Sequence, residues 1–151
     1  MKVAIGCDEA AYNLKLEIIK QLNAKNIEYQ DFGAEAGAVV LYPDVAVTVA
    51  EAVAKGEFER GILMCGTGIG MAVTANKVPG IRAAVCHDPY STERSRKSNN
   101  AQIMCMGERV IGVELAKCLV DIWLDSEFLG GGSIPKVERI MEYEQSNLKH
   151  S

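Results

Sequence analysis

Glu59-Arg-Gly-Ile-Leu-Met-Cys-Gly-Thr-Gly-Ile-Gly-Met-Ala-Val-Thr-Ala-Asn-Lys77 is the stretch around which the rest of the chain is arranged. Gly61 to Met64 is an apolar run with the length and bulk of a buried strand. Cys65 follows, then Gly66-Thr67-Gly68-Ile69-Gly70, then small and apolar residues that predict a helix. Strand, glycine-rich turn and helix form the geometry in which backbone N–H groups face an anion. Cys65 stands at the entrance to that turn, and thiols near helix N-termini are drawn toward the thiolate. The same residues also fit a tight strand–helix connection around a buried cysteine.

The 151 residues are expected to form one domain, 1–151, large enough to bury a core. Hydrophobic residues make up 48% and charged residues 24%, a globular rather than a disordered composition. A net charge of -4 and a pI near 5.2 argue against nucleic acid or an anionic membrane as principal partner. No apolar run approaches membrane-spanning length. Met1-Lys2-Val3-Ala4-Ile5 leads into a strand-like segment rather than a signal peptide, so a cytoplasmic protein is expected. The five cysteines (Cys7, Cys65, Cys86, Cys105, Cys118) are odd in number and lack CxxC spacing, which suggests neither a disulfide framework nor a metal site. Cys86, Cys105 and Cys118 are expected to be small buried hydrophobes.

Taken in order, Lys2 to Cys7 reads as a strand and Ala10 to Asn23 as an amphipathic helix. Ile27 to Phe32 is a second strand, and residues 34–41 form a loop that leads to Tyr42-Pro43-Asp44. Pro43 suits the first turn of the helix that ends at Gly56. After the glycine turn, Ile81 to Cys86 is a fourth strand, Asp88-Pro89 opens a helix, and Ala101 to Met106 is a fifth strand. Val113 to Leu124 and Lys136 to Asn147 complete the helices. This alternation predicts an α/β, three-layer Rossmann-like sandwich: a five-stranded parallel sheet in the order 2-1-3-4-5, with a C-terminal helix. In such a sheet functional residues gather where strand order reverses, between strands 1 and 3. Asp8 and Cys65 would meet there, with Tyr42 placed to close the crevice.

A thiolate either attacks carbon or takes a proton from it. Nucleophilic cysteines usually work with a histidine, and only His87 and His150 are present. Proton abstraction beside a carbonyl needs a base and donors for the enediolate oxygens, which the glycine turn supplies. The spacing therefore favours proton transfer. The rival reading is a non-catalytic domain that binds a sugar phosphate or nucleotide, although neither a Walker lysine nor the full GxGxxG pattern is present.

Gly6-Cys7-Asp8, Tyr42-Pro43-Asp44, Cys65-Gly66-Thr67-Gly68-Ile69-Gly70, Asn76-Lys77-Val78-Pro79-Gly80-Ile81-Arg82-Ala83-Ala84, Asn99-Asn100-Ala101 and Gly107-Glu108-Arg109-Val110 occur in that order. Together they resemble ribose-5-phosphate isomerase B, in a wider family that includes galactose-6-phosphate isomerase. The resemblance implies an aldose–ketose isomerase of a sugar or sugar phosphate, without metal or cofactor. Cys65 is implied as the base, and Thr67 with Gly66, Gly68 and Gly70 as the anion hole. Asp8 completes the catalytic set and, with Tyr42 and Asn99, matches residues that hold sugar hydroxyls and the ring oxygen. Arg109 matches a phosphate contact. A second subunit completes the crevice in that family, so a homodimer or dimer of dimers is implied.

The departures point to a shifted substrate. Glu9 stands where the family usually has histidine, and it is expected to accept hydrogen bonds from sugar hydroxyls. Ser98 stands where a histidine assists ring opening. Gly130-Gly131-Gly132-Ser133 replaces Gly-Gly-Arg-His, and Lys136 takes a later arginine's place as a substrate-binding residue. His87 is read either as a replacement donor at the crevice rim or as a surface histidine beside the Asp88-Pro89 cap. Arg94, Arg96 and Lys97 are expected on a solvated face. Met64, Met71, Met104 and Met106 are expected in packing, and Trp123 in the core or a dimer interface.

Overall fold

The computed structural model describes residues 1–149. Strands β1 (Lys2–Cys7), β2 (Glu28–Asp31), β3 (Arg60–Cys65), β4 (Ala83–Val85) and β5 (Ile103–Gly107) alternate with helices α1 (Tyr12–Ala24), α2 (Tyr42–Ala54), α3 (Ile69–Ala75), α4 (Pro89–Lys97) and α5 (Val113–Asp125). Helix α6 (Ile134–Lys149) follows. Every strand pairing is parallel.

The strand order is β2-β1-β3-β5-β4, so the expected 2-1-3-4-5 order is corrected at one edge. The reason is burial. All five residues of β5 are buried, whereas none of the three in β4 is. Ile103 to Met106 suits an interior strand covered on both faces, and a short strand preceded by Arg82 suits an edge. The switch point between β1 and β3 is unaffected.

Side chains alternate across the sheet with the period of two that strands impose. Val3, Ile5, Ile62, Met64, Met104 and Met106 pack on Leu14 and Ile18 of α1 and on Leu119 and Trp123 of α5. On the opposite face Ala4, Leu63, Cys65, Ile103 and Cys105 meet Val45 and Val49 of α2 and Met71 of α3. The four methionines and Trp123 are core residues. Cys65 thus points toward the α2–α3 layer.

Three local readings change. Asp8 caps a 3₁₀ turn over Glu9–Ala11, so α1 starts at Tyr12 rather than Ala10. Cys86 and Cys105 are buried, but Cys118 is exposed on the outer side of α5. Arg96 is buried rather than solvated and donates to the Ser126 and Ala101 carbonyls. Burial, with the nearby Arg60 charge second, pushes its guanidinium down to about 10. Lys97 stays near the surface and pairs with Glu93.

Candidate active site

β1 and β3 are neighbours whose helices leave on opposite faces of the sheet, and a crevice of about 510 Å³ opens above their carboxyl ends. Cys65 ends β3 and is only 5% exposed. Its Sγ accepts the Gly68 N–H at 3.1 Å, a bond that strengthens when the sulfur is anionic. Gly68 has φ +79, and a Cβ there would lie 2.9 Å from the Met106 backbone. Both the left-handed turn and the close approach require glycine. Thr67 is exposed in the crevice, its hydroxyl accepting the Ile69 N–H at 3.3 Å.

The turn is held from behind by the segment after β5. The N–H groups of Glu108 and Arg109 donate to the carbonyls of Cys65 and Gly66, each at 3.0 Å. Gly107 sits so close that a Cβ would lie 2.6 Å from the Gly66 oxygen. Its own N–H donates to His87 Nε2 at 2.9 Å. His87 is half-buried, and burial holds its pKa below the ordinary histidine value. It does not line the crevice, so it occupies neither of its two expected places. It braces the glycine turn from the rear through Gly107.

Asp8 and Glu9 form the facing wall. Asp8 is buried, and its Oδ1 accepts the Ala10 N–H at 3.0 Å. Burial, and more weakly the charge of Glu9, pushes its carboxyl up. Glu9 Oε2 accepts the Val40 N–H at 3.2 Å and ties the 34–41 loop to the crevice mouth. Its own backbone N–H and that of Val40 lower its pKa. The Arg109 guanidinium lies over Gly66 with no hydrogen-bond or ion-pair partner among the described residues. It faces both carboxylates. The Tyr42 ring lies against Gly70.

One crevice therefore gathers Asp8, Glu9, Tyr42, Cys65, Gly66, Thr67, Gly70 and Arg109, with Gly68 beneath it. Ala10, Ile69 and Val73 also line it. The last two were legible only as an i, i+4 apolar pair on the helix after the turn. Asn99 and Lys136 are not brought there. Helix α4 runs back against the strand direction, so Ser98 and Asn99 lie near the start of β4, where Arg82 Nε donates to the Asn100 carbonyl. Ser98 Oγ accepts Arg94 Nε at 2.9 Å and Nη2 at 2.6 Å. Lys136 is exposed on α6. His150 lies outside the described residues. A thiol, a buried carboxylate, the backbone of a glycine turn and one uncommitted cation suit proton transfer on a small anionic carbonyl compound.

A family model described as Ribose/Galactose Isomerase matches residues 3–140. A "Ribose-5-P isomerase B" of Listeria innocua is 57% identical, over 97% of this chain and 99% of that protein. A "D-erythrulose-4-phosphate isomerase" of Pectobacterium atrosepticum is 54% identical, over 99% of each chain. The solved ribose-5-phosphate isomerase B of Clostridium thermocellum superposes with a TM-score of 0.95 at 49% identity, covering 97% of this chain and 99% of that one. The chain belongs to the ribose/galactose isomerase family, whose members interconvert aldoses and ketoses.

Proposed function

We propose that this chain interconverts a four-carbon ketose phosphate and its aldose, erythrulose 4-phosphate and erythrose 4-phosphate, with Cys65 as base. One observation carries the choice of sugar. Ser98 replaces the ring-opening histidine implied by the family, and its hydroxyl is engaged by Arg94. Ribose 5-phosphate keeps a free 4-hydroxyl and closes into a furanose. Erythrose 4-phosphate carries its phosphate on that oxygen, so no five-membered ring forms and no ring-opening acid is required. The relative named for erythrulose 4-phosphate supports the same reading.

In this mechanism the Cys65 thiolate takes a proton from C1 of the ketose. The C–H electron pair forms the C1–C2 double bond, and the carbonyl π pair moves onto O2. Backbone N–H groups of the glycine turn, with Thr67, hold the enediolate charge. Cys65 returns its proton to C2, the O1 proton passes to O2 to make the C2 hydroxyl, and O1 becomes the aldehyde oxygen. Asp8 and Glu9 accept from substrate hydroxyls, Arg109 pairs with the phosphate, and Tyr42 covers the crevice. No metal or cofactor takes part.

The test is exchange in D₂O followed by proton NMR. Wild-type protein should place deuterium at C2 of the aldose and, by reversal, at C1 of the ketose. Cys65→Ala should fold and place none. Exchange that persists in Cys65→Ala overturns the assignment of the base. Binding of either sugar phosphate without any exchange by the wild type would identify a binding domain instead.

The same reading includes a homodimer. Asn99 and Lys136, both implied in substrate contact, lie outside this protomer's crevice. Ile69 and Val73 leave an apolar rim on it, Val110 is exposed next to Arg109 in the chain, and α6 buries only Val137 while exposing Ile134, Ile140 and Tyr143. A two-fold partner that covers these surfaces would bring Ser98 and Asn99 to the facing crevice. No helix among the described residues is long and apolar enough to cross a membrane. A dianionic sugar phosphate as substrate supports cytoplasmic work.

A further inference from the structure

We infer that Glu108 is a positioning residue that sets the width of the crevice, an inference that rests on the isomerase reading above. Glu108 does not line the crevice, yet it joins three of the segments that do. Its backbone N–H donates to the Cys65 carbonyl at 3.0 Å, and the next residue, Arg109, donates to the Gly66 carbonyl. Its side chain crosses to the facing wall, where Oε1 accepts the Leu14 N–H at 2.7 Å. Leu14 is the third residue of α1, and that helix has no cap of its own because Ala11 at the N-cap position carries no acceptor. One of the orphan donors of the first turn is therefore satisfied from a residue 94 positions away. One residue before α1, ahead of Ala11, stand Asp8, Glu9 and Ala10, the facing wall itself. Glu108 thus holds the base, the cation and the carboxylates at fixed separations, and a misplacement of about 1 Å can cost on the order of a hundredfold in rate.

The interaction requires an acceptor at the reach of a glutamate side chain, and it requires no proton transfer. Three variants separate these demands, each assayed with erythrulose 4-phosphate at a temperature where it is folded. Glu108→Gln keeps reach and acceptor and should stay within about threefold of wild-type kcat/KM, with an unchanged pH profile. Glu108→Ala should lose at least about tenfold, in both kcat and KM. Glu108→Asp keeps the charge but falls one methylene short, and should lose about as much as Ala. If Ala lowers Tm and leaves kcat/KM unchanged, Glu108 is only a helix cap and the inference is overturned. If Gln loses as much as Ala, charge rather than reach is what matters, and the inference is again overturned. Should Glu108→Ala fail to fold, Gln against Asp decides in the same way. An inactive wild type would instead indict the isomerase reading, so the two failures are distinct.

Discussion

His87 Nε2 accepts a hydrogen bond from Gly107, and only a neutral imidazole can do so. Burial depresses its pKa in the folded state below the ordinary value of about 6.5. The folded protein therefore binds fewer protons there than the unfolded chain. The stability that His87 carries is complete above about pH 6.5 and is lost as the pH falls through the lower folded value. In His87→Gln, where an amide oxygen accepts from Gly107 without titrating, Tm should fall less steeply below about pH 6.5 than in wild type. Equal slopes in the two proteins would remove His87 from this role. At this scale sequence reading reached Cys65, Thr67, Asp8 and Tyr42, because each sits on a short motif with its neighbours in the chain. It did not reach the bracing role of His87 or the tie made by Glu108. Their partners, Gly107 and Leu14, are 20 and 94 residues away, and no local pattern links them.

Helix α5 ends against β3, and the join is made by Arg60. This arginine is 2% exposed and donates to the carbonyls of Trp123, Leu124 and Ser126. Trp123 and Leu124 stand in the last turn of α5 and Ser126 directly follows it, so Arg60 serves as the cap of α5, beside the Ser126 N–H on the Trp123 carbonyl and Arg96 on that of Ser126. Its ion pair with Glu127 matters less, since Glu127 is mostly exposed and screened by water. Arg60→Met should cost about 3 kcal/mol in urea unfolding, because hydrogen bonds from a buried charge to three carbonyls are lost. Glu127→Ala should cost less than about 1 kcal/mol. Equal losses would shift the weight from the cap to the ion pair. Elements themselves were readable, since strands and helices declare their periods over a few residues. The order of β4 and β5 was not, because neighbours are chosen by comparing the burial of two strands. Arg96 misled for a related reason: three basic residues on a helix suggest a solvated face, and only the fold shows that Arg96 turns inward beside Arg60.

For the whole molecule, the decisive feature is that residues implied in one site lie at opposite ends of one protomer. Cys65 ends β3 at the carboxyl edge of the sheet, and Asn99 follows α4 toward the other edge. The two-fold homodimer proposed above would bring these ends together. Cys65→Ala and Asn99→Ala should each be impaired, and mixing them under subunit exchange should restore activity. Random reassortment leaves roughly a quarter of sites with both native residues. No recovery after demonstrated exchange would place both residues in one subunit's site or remove Asn99 from it.

In the proposed function, Ser98 and Glu9 adapt this family's crevice to a tetrose phosphate that never closes into a ring. The most direct measurement is kcat/KM for erythrulose 4-phosphate beside that for ribose 5-phosphate, with the same preparation. A missing general acid typically costs about 10²–10⁴ in rate, so the four-carbon substrate should be favoured by at least about a hundredfold. Its own value should lie at or above about 10⁴ M⁻¹s⁻¹. A kcat/KM for ribose 5-phosphate that equals or exceeds that for erythrulose 4-phosphate would make the pentose phosphate the substrate and overturn the four-carbon assignment.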